Sequence, residues 1–255
     1  MRVRIEDVPA EGLLLAGGAR AILLQLANPA VGHGVAEHSD FAQRSLERLR
    51  GTLTYLYVVA YGTPEEIARV AQHVSRAHAP VHSASHDASY DARDEELQLW
   101  VAATLHEGAV RMHDVVFEPL SGDDAQALLD QSARIATTLG VPRALWPATP
   151  ADFAAYWSRC ESELRVDDVA RSVAAALLHP RSGPWWLRMA LPSVRLITAG
   201  LLSPELRAAY NLPLDDRRFA RAVRLLRAVY PRLPRVIRHG PKRYYLGRFR
   251  AGVHR

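Results

Sequence analysis

The sequence predicts an all-α protein folded as a single globular helical domain, and three observations carry that expectation. Apolar residues recur at helical spacing along nearly the whole chain. One type of helix start is repeated: Thr63, Thr149 and Ser203 each precede a proline, with an acid in the turn that follows. There the hydroxyl caps, proline fits the first position and the helix dipole favours negative charge. No segment shows sustained two-residue alternation bounded by turns, so no sheet is expected.

Residues 13–26 form an apolar helical run that stops at Asn28 and Pro29, because the residue before a proline avoids the α region. Residues 29–40, with Gly32, His33, Gly34, His38 and Ser39, read as a loop. A long helix follows over about 42–61. Leu46, Leu49, Leu53 and Leu56 stripe its first half, and from Leu53 it is apolar all round, the pattern of a central buried helix. Gly62 ends it and Thr63 opens the next helix. Further helices read at 94–117, 121–140, 149–165, 167–178, 185–200, 203–210 and 215–230.

Within the one domain, 1–255, the core runs from about 10 to 231. Residues 232–255 hold many Arg and Lys and no acid, with Tyr244, Tyr245 and Phe249 among them. This stretch reads as a solvated basic tail with little share in folding. Its charge suits weak peripheral contact with an anionic membrane, weakened by salt. No zinc-finger spacing or RNA-recognition signature accompanies it, so no nucleic-acid partner is expected.

With 49% hydrophobic and 23% charged residues, the 255-residue chain has ordinary globular composition and enough length to bury a core around a small organic cofactor. The single cysteine, Cys160, excludes a disulfide framework and Cys-based metal or iron–sulfur sites. It lies in helical phase with Phe153, Tyr156, Trp157 and Leu164, as a core thiol would. It also fits a reducing, cytoplasmic compartment. The first residues lack the apolar run of a secretory signal, and the most apolar stretch, 185–202, is interrupted by Arg188, Pro192 and Arg195.

Four places hold side chains with chemistry. His78 continues the stripe of Ile67, Ala71 and Val74, so it points inward. It reads in two ways, as a core histidine satisfied by hydrogen bonds or as a ligand. His82 lies four residues on, a metal-clamping distance on a helix, but Pro80 stands between them. Ala102, His106, Ala109 and His113 share a face of a later helix, where small alanines leave room for a flat group or a close helix contact. Arg48, Thr52 and Tyr55 form a polar stripe near the start of the central helix. An inward Arg there needs an anion.

These segments together resemble a known family. Arg48 with Thr52 and Tyr55, the run 61–66, His-Ala-Pro-Val at 78–81, Tyr90 to Ala92 and the run 99–105 are similar to the MpaB-type oxygenases and latex-clearing proteins (rubber oxygenases). Asn28 and Pro29, Gly34 and Val35, His38 and Ser39, and the run 201–207 fit the same order, so the resemblance covers about 10–250. It implies an all-helical fold with a globin-like core, a haem b cofactor and His78 as the iron ligand. Arg48 and Thr52 would match the Arg-x-x-x-Thr motif beside the haem. It also implies an oxygenase that uses dioxygen on an apolar, isoprenoid or other alkene-containing substrate. Arg48, Thr52 and His106 then serve as hydrogen-bonding or acid–base groups, and His82 borders the cofactor. An electron donor, where the reaction needs one, is not named by the sequence.

Three differences from the family stand out. Gly51 replaces a lysine of the rubber oxygenases, Ala102 replaces the histidine of a Trp-Val-His run, with His106 one turn on, and His82 replaces an arginine. They bear on substrate and reactivity more than on fold. Two other readings remain open from the residues. One is a non-haem iron or zinc enzyme using His78, His82 and His106 with Glu107 nearby. The other is a non-enzymatic helical module that binds haem or lipid.

Overall fold

The structure is a computed structural model that describes residues 5–38, 41–84, 89–180 and 185–252. Among the described residues it has thirteen α-helices: α1 Gly18–Leu26, α2 Pro29–His38, α3 Phe41–Tyr61, α4 Pro64–His78, α5 Glu95–Val116, α6 Gly122–Thr137, α7 Pro150–Glu163, α8 Asp168–Leu178, α9 Trp185–Leu201, α10 Pro204–Ala209, α11 Asp216–Val229, α12 Arg235–Arg238 and α13 Gly240–Gly252. Two short 3-10 segments, Ile5–Ala10 and Gly12–Gly17, lead into α1. The all-α expectation holds. No single described helix is long and apolar enough to cross a membrane.

The hydroxyl–proline starts work as expected. Thr63 accepts from the Glu66 amide while the Glu66 carboxylate accepts from the Thr63 amide, and Thr149 with Asp152 makes the same reciprocal cap. Ser203 accepts from the Leu206 amide to open α10. Each satisfies donors that the first helical turn leaves unpaired.

α5 is the central pillar. It packs against α1, α6, α11 and the segment Gly12–Gly17. Leu99, Ala102 and Ala103 close a core layer with α6, Trp146 and Phe153, while Trp100 joins a second layer with α1, α8 and α10. Cys160 packs half-buried at the edge of that second layer, as its helical phase predicts. α3 and α4 make a third layer with Leu246 of α13.

Three expectations need correction. Residues 29–38 are helical, not a loop. Their glycines are contact points: a Cβ on Gly32 would stand 2.7 Å from the Leu26 carbonyl oxygen, and one on Gly34 would meet the Tyr90 ring. α2 therefore crosses close to the preceding helix. The second correction is a small antiparallel hairpin, β1 His82–Ala84 with β2 Ser89–Asp91, pairing His82 with Asp91. Three-residue strands are too short to show alternation.

The third concerns the basic C-terminus, which is docked. Tyr245 of α13 stacks on Tyr57, Lys242 sits over the Tyr61 ring and Arg250 makes two hydrogen bonds to Glu66. Arg238 and His239 are buried on the Glu11 carboxylate, which also accepts from the Tyr230 hydroxyl. Burying charge requires such partners, so this segment is part of the fold.

Candidate functional site

Between α3, α5, α6, α1 and α9 lies a cavity of about 370 Å³, within the size range of small-molecule sites. Its walls are mostly aliphatic, among them Leu53, Leu56, Ile22, Leu105, Ile135 and Leu191. Gly18 and Gly108 help keep it hollow. Both line it, and a Cβ built on either would meet nothing within 4 Å, even though Gly108 is buried. A close-packed protein interior normally leaves no such space.

The polar lining is sparse: Gln25, Arg48, Thr52, Tyr57, His106, Gln131 and Ser132. Gln25 donates to Thr104 Oγ1 at 2.8 Å, and Thr104 donates onward to the Val101 carbonyl. Arg48 and Thr52 are one helical turn apart on α3. Both are solvent-exposed while lining the cavity, so they stand at its open end. The protein around the Arg48 guanidinium lowers its pKa by desolvation. Tyr55, third in the same stripe, turns elsewhere and donates to the Ile135 carbonyl at 2.6 Å. Gly51 is exposed and outside the lining.

His106 is the buried imidazole of the cavity. Its Nδ1 lies 2.8 Å from Ser132 Oγ, and its ring packs edge-on to Phe153 at 4.6 Å. Burial pushes its pKa down to about 4, so it is neutral at pH 7. Ala102 and Ala109, expected to leave room for a flat group, divide that task. Ala102 is packed in the α5–α6–α7 core, while Ala109 lines the cavity.

His78 ends α4, which packs on α3. It is partly exposed and outside the cavity lining, yet its Nδ1 is buried with no hydrogen-bond partner among the described residues. Burial lowers its pKa, and the nearby Arg48 charge lowers it further. Arg48 thus belongs to both places, lining the cavity and lying close enough to His78 for its charge to lower the pKa of that ring.

The other sequence candidates are not brought together. α4 stops at His78, so His82 does not share its face. His82 is exposed at the start of β1, with Nδ1 3.2 Å from the Ala79 carbonyl oxygen. Pro80 is the physical reason. Glu107 is held by Arg20 through both carboxylate oxygens and by Arg111 Nε at 2.8 Å. Arg20 also donates to the Leu201 carbonyl. Among the described residues no three His, Cys, Asp or Glu side chains converge as a metal site. The His78, His82, His106 and Glu107 set expected for non-haem iron or zinc is therefore not assembled.

Sequence reasoning missed the Arg20–Glu107 pair, the Ser132 partner of His106 and the glycine-hollowed wall. The glycines were the legible signal, since Gly18 and Gly108 interrupt helical runs.

An all-helical scaffold around an apolar cavity with few, well-placed polar groups is the architecture of a small-molecule binding protein or enzyme. The chain belongs to the family described as ER-bound oxygenase mpaB/B'/Rubber oxygenase, catalytic domain, which matches residues 8–228. That is an oxygenase family. A protein of Mycobacterium tuberculosis described as uncharacterized is 36% identical over 218 residues, covering 82% of this chain and 86% of the relative. A protein of Mycobacterium bovis, likewise described as uncharacterized, matches to the same extent. No solved structure matches significantly.

Proposed function

We propose that the protein is a haem b-dependent oxygenase acting with dioxygen on an apolar, alkene-containing substrate. The observation that carries this reading is the hollow apolar cavity with neutral His106 in its wall and Arg48 and Thr52 at its open end.

The residues fit a haem in three respects. Gly18 and Gly108 leave space that no side chain fills. His78 stands outside the cavity lining but near Arg48; its Nδ1 is buried with no hydrogen-bond partner among the described residues, a costly state, and burial with the Arg48 charge lowers its pKa, which favours the neutral, ligating form. Arg48 supplies a cation at the cavity mouth, where haem carboxylates need one. His78 would hold the group and Arg48 with Thr52 would orient it. When bound, haem supplies the iron through which dioxygen reacts.

The chain's own contribution follows from its side chains. The aliphatic walls bind an apolar substrate and keep water out. His106 stays unprotonated at neutral pH and is fixed through Ser132, so its ring can accept or relay a proton at one position. Arg48 and Thr52 offer N–H and O–H donors at the mouth.

Absorbance of the protein prepared with haem supplied tests this reading. The wild type is expected to show a Soret band. His78→Ala is expected to lose stable haem, while Arg48→Ala, Thr52→Ala and His106→Ala keep it but turn over more slowly. Gly108→Leu, which fills the cavity, should weaken haem or substrate binding. A colourless wild type, or an unchanged Soret band in His78→Ala, refutes the assignment. Haem retention without oxygen consumption on any alkene would leave a haem-binding module instead.

A further inference from the structure

α11 is strongly one-sided in charge. Five of its fourteen residues are arginines, Arg217, Arg218, Arg221, Arg224 and Arg227, against the single acid Asp216. Its inner edge is well anchored. Phe219 fills the space beside Gly200 of α9 so fully that no side chain fits at that glycine, and Leu226 joins the core layer around Met112. Arg227 donates to the Val115 and Asp114 carbonyls at the end of α5.

The opposite edge has no such company. At 100° per residue, Arg217, Arg218, Arg221, Arg224, Leu225 and Val229 fall within about 140° of one side. Leu225 is 64% exposed and Val229 47%. The chain continues through α12, where Val236 and Ile237 are 60% and 59% exposed. Four large aliphatic side chains are thus bare to water within thirteen consecutive residues. Arg218 pairs with Asp215 and Arg235 with Asp7, but Arg217, Arg221 and Arg224 have no acidic partner among the described residues.

We propose that the α11–α12 face docks on an anionic lipid membrane. Charge complementarity supplies the first half of the argument, since guanidinium groups bind lipid phosphates in pairs of hydrogen bonds. The interspersed aliphatics supply the second: they enter the acyl boundary while the arginines stay among the headgroups. Nucleic acid would use the charge but leave Leu225, Val229, Val236 and Ile237 in water, and the aromatic residue of α11, Phe219, is turned inward. This surface shares only α12 with the stretch 232–255 expected to meet a membrane, and elsewhere in that stretch Arg250 is committed to an internal carboxylate, as is Arg238 at the end of α12.

Co-sedimentation of the full chain with vesicles tests the proposal. Vesicles of phosphatidylcholine with one part in three phosphatidylglycerol are compared, in about 0.1 M and higher salt, with pure phosphatidylcholine. Binding is expected to the anionic vesicles only and to fall as salt rises. The triple change Arg217→Glu, Arg221→Glu, Arg224→Glu should weaken it at least about tenfold. Leu225→Ser with Val229→Ser should weaken it too, even at low salt. Thermal melts should stay unchanged in both, because these side chains face solvent, and Arg134→Glu on α6 should bind like the wild type. No binding to anionic vesicles, or binding indifferent to both α11 variants, overturns the proposal. So does salt-sensitive binding to duplex DNA without vesicle binding, or a dimer that Leu225→Ser with Val229→Ser dissociates.

Discussion

His106 and Glu107 are consecutive on α5, both buried, and their surroundings differ completely. Glu107 faces α1, where Arg20 grips both its oxygens and Arg111 adds a third N–H. His106 faces α6 and the cavity, with one hydrogen bond to Ser132 and aromatic rings for the rest of its company. In the first region three N–H groups from two arginines satisfy one carboxylate. The second is sparingly satisfied and open on one side. A polar group saturated within the fold holds the fold, whereas one kept neutral beside empty space is available for chemistry.

The largest effect that sharpens this contrast is on stability. Glu107→Ala strands the buried Arg20 guanidinium, which keeps the Leu201 carbonyl as acceptor. It should lower stability by about 3–5 kcal/mol, as breaking a buried pair does. Replacing both partners, Arg20→Met with Glu107→Leu, should recover most of that loss. Urea unfolding measures both. If the single change is neutral, Glu107 is not structural, and its exclusion from the site must be reconsidered.

Acid is the next lever. The folded-state pKa of His106 is depressed to about 4, below an unfolded value near 6.5. Between these values the unfolded chain binds the extra proton. Its contribution to stability is therefore complete above about pH 6.5 and is lost as pH falls toward 4, a total of about 3 kcal/mol. His78, also shifted down, acts in the same direction. His106→Phe should flatten the acid limb of the stability profile. An unchanged limb would mean that His106 already titrates normally, and with it the neutral-imidazole argument fails.

How far the sequence reached follows the same division. Local rules were legible. Thr63 and Thr149 announce their caps, Pro80 ends the helix before His82, and the all-round apolar run from Leu53 marks the second half of α3 as buried, while residues 47–52 of its first half are exposed. Contacts between distant segments were not. Gly32 and Gly34 are loop formers locally, and only the crossing against Leu26 and Tyr90 makes them helical contact points. Likewise the arginines after residue 232 look solvated until Glu11 and Glu66 are placed beside Arg238 and Arg250. At the site, the sequence put Arg48 beside His106 only through a family resemblance. It gave no reason for Glu107 to be unavailable, because Arg20 lies 87 residues away.

The smallest effect is the most direct test of the contrast. Ser132 gives His106 its one hydrogen bond at Nδ1, and the pair is neutral, so Ser132→Ala removes a single uncharged bond. Such a loss costs about 1 kcal/mol, or somewhat more if the abandoned nitrogen stays dry. The cavity beside His106 can offset part of that cost, because water entering from the open end can reach the ring. Glu107 has no such recourse. The expected order is therefore a small loss for Ser132→Ala, restored by Ser132→Thr if the added methyl fits, against a severalfold larger loss for Glu107→Ala. Calorimetric unfolding of the variants at about pH 8, well above the unfolded histidine pKa near 6.5, reads the order without interference from the acid limb. Equal losses would mean that the cavity face is as tightly built as the ion-pair face, and His106 would then be a core residue and not a reactive one.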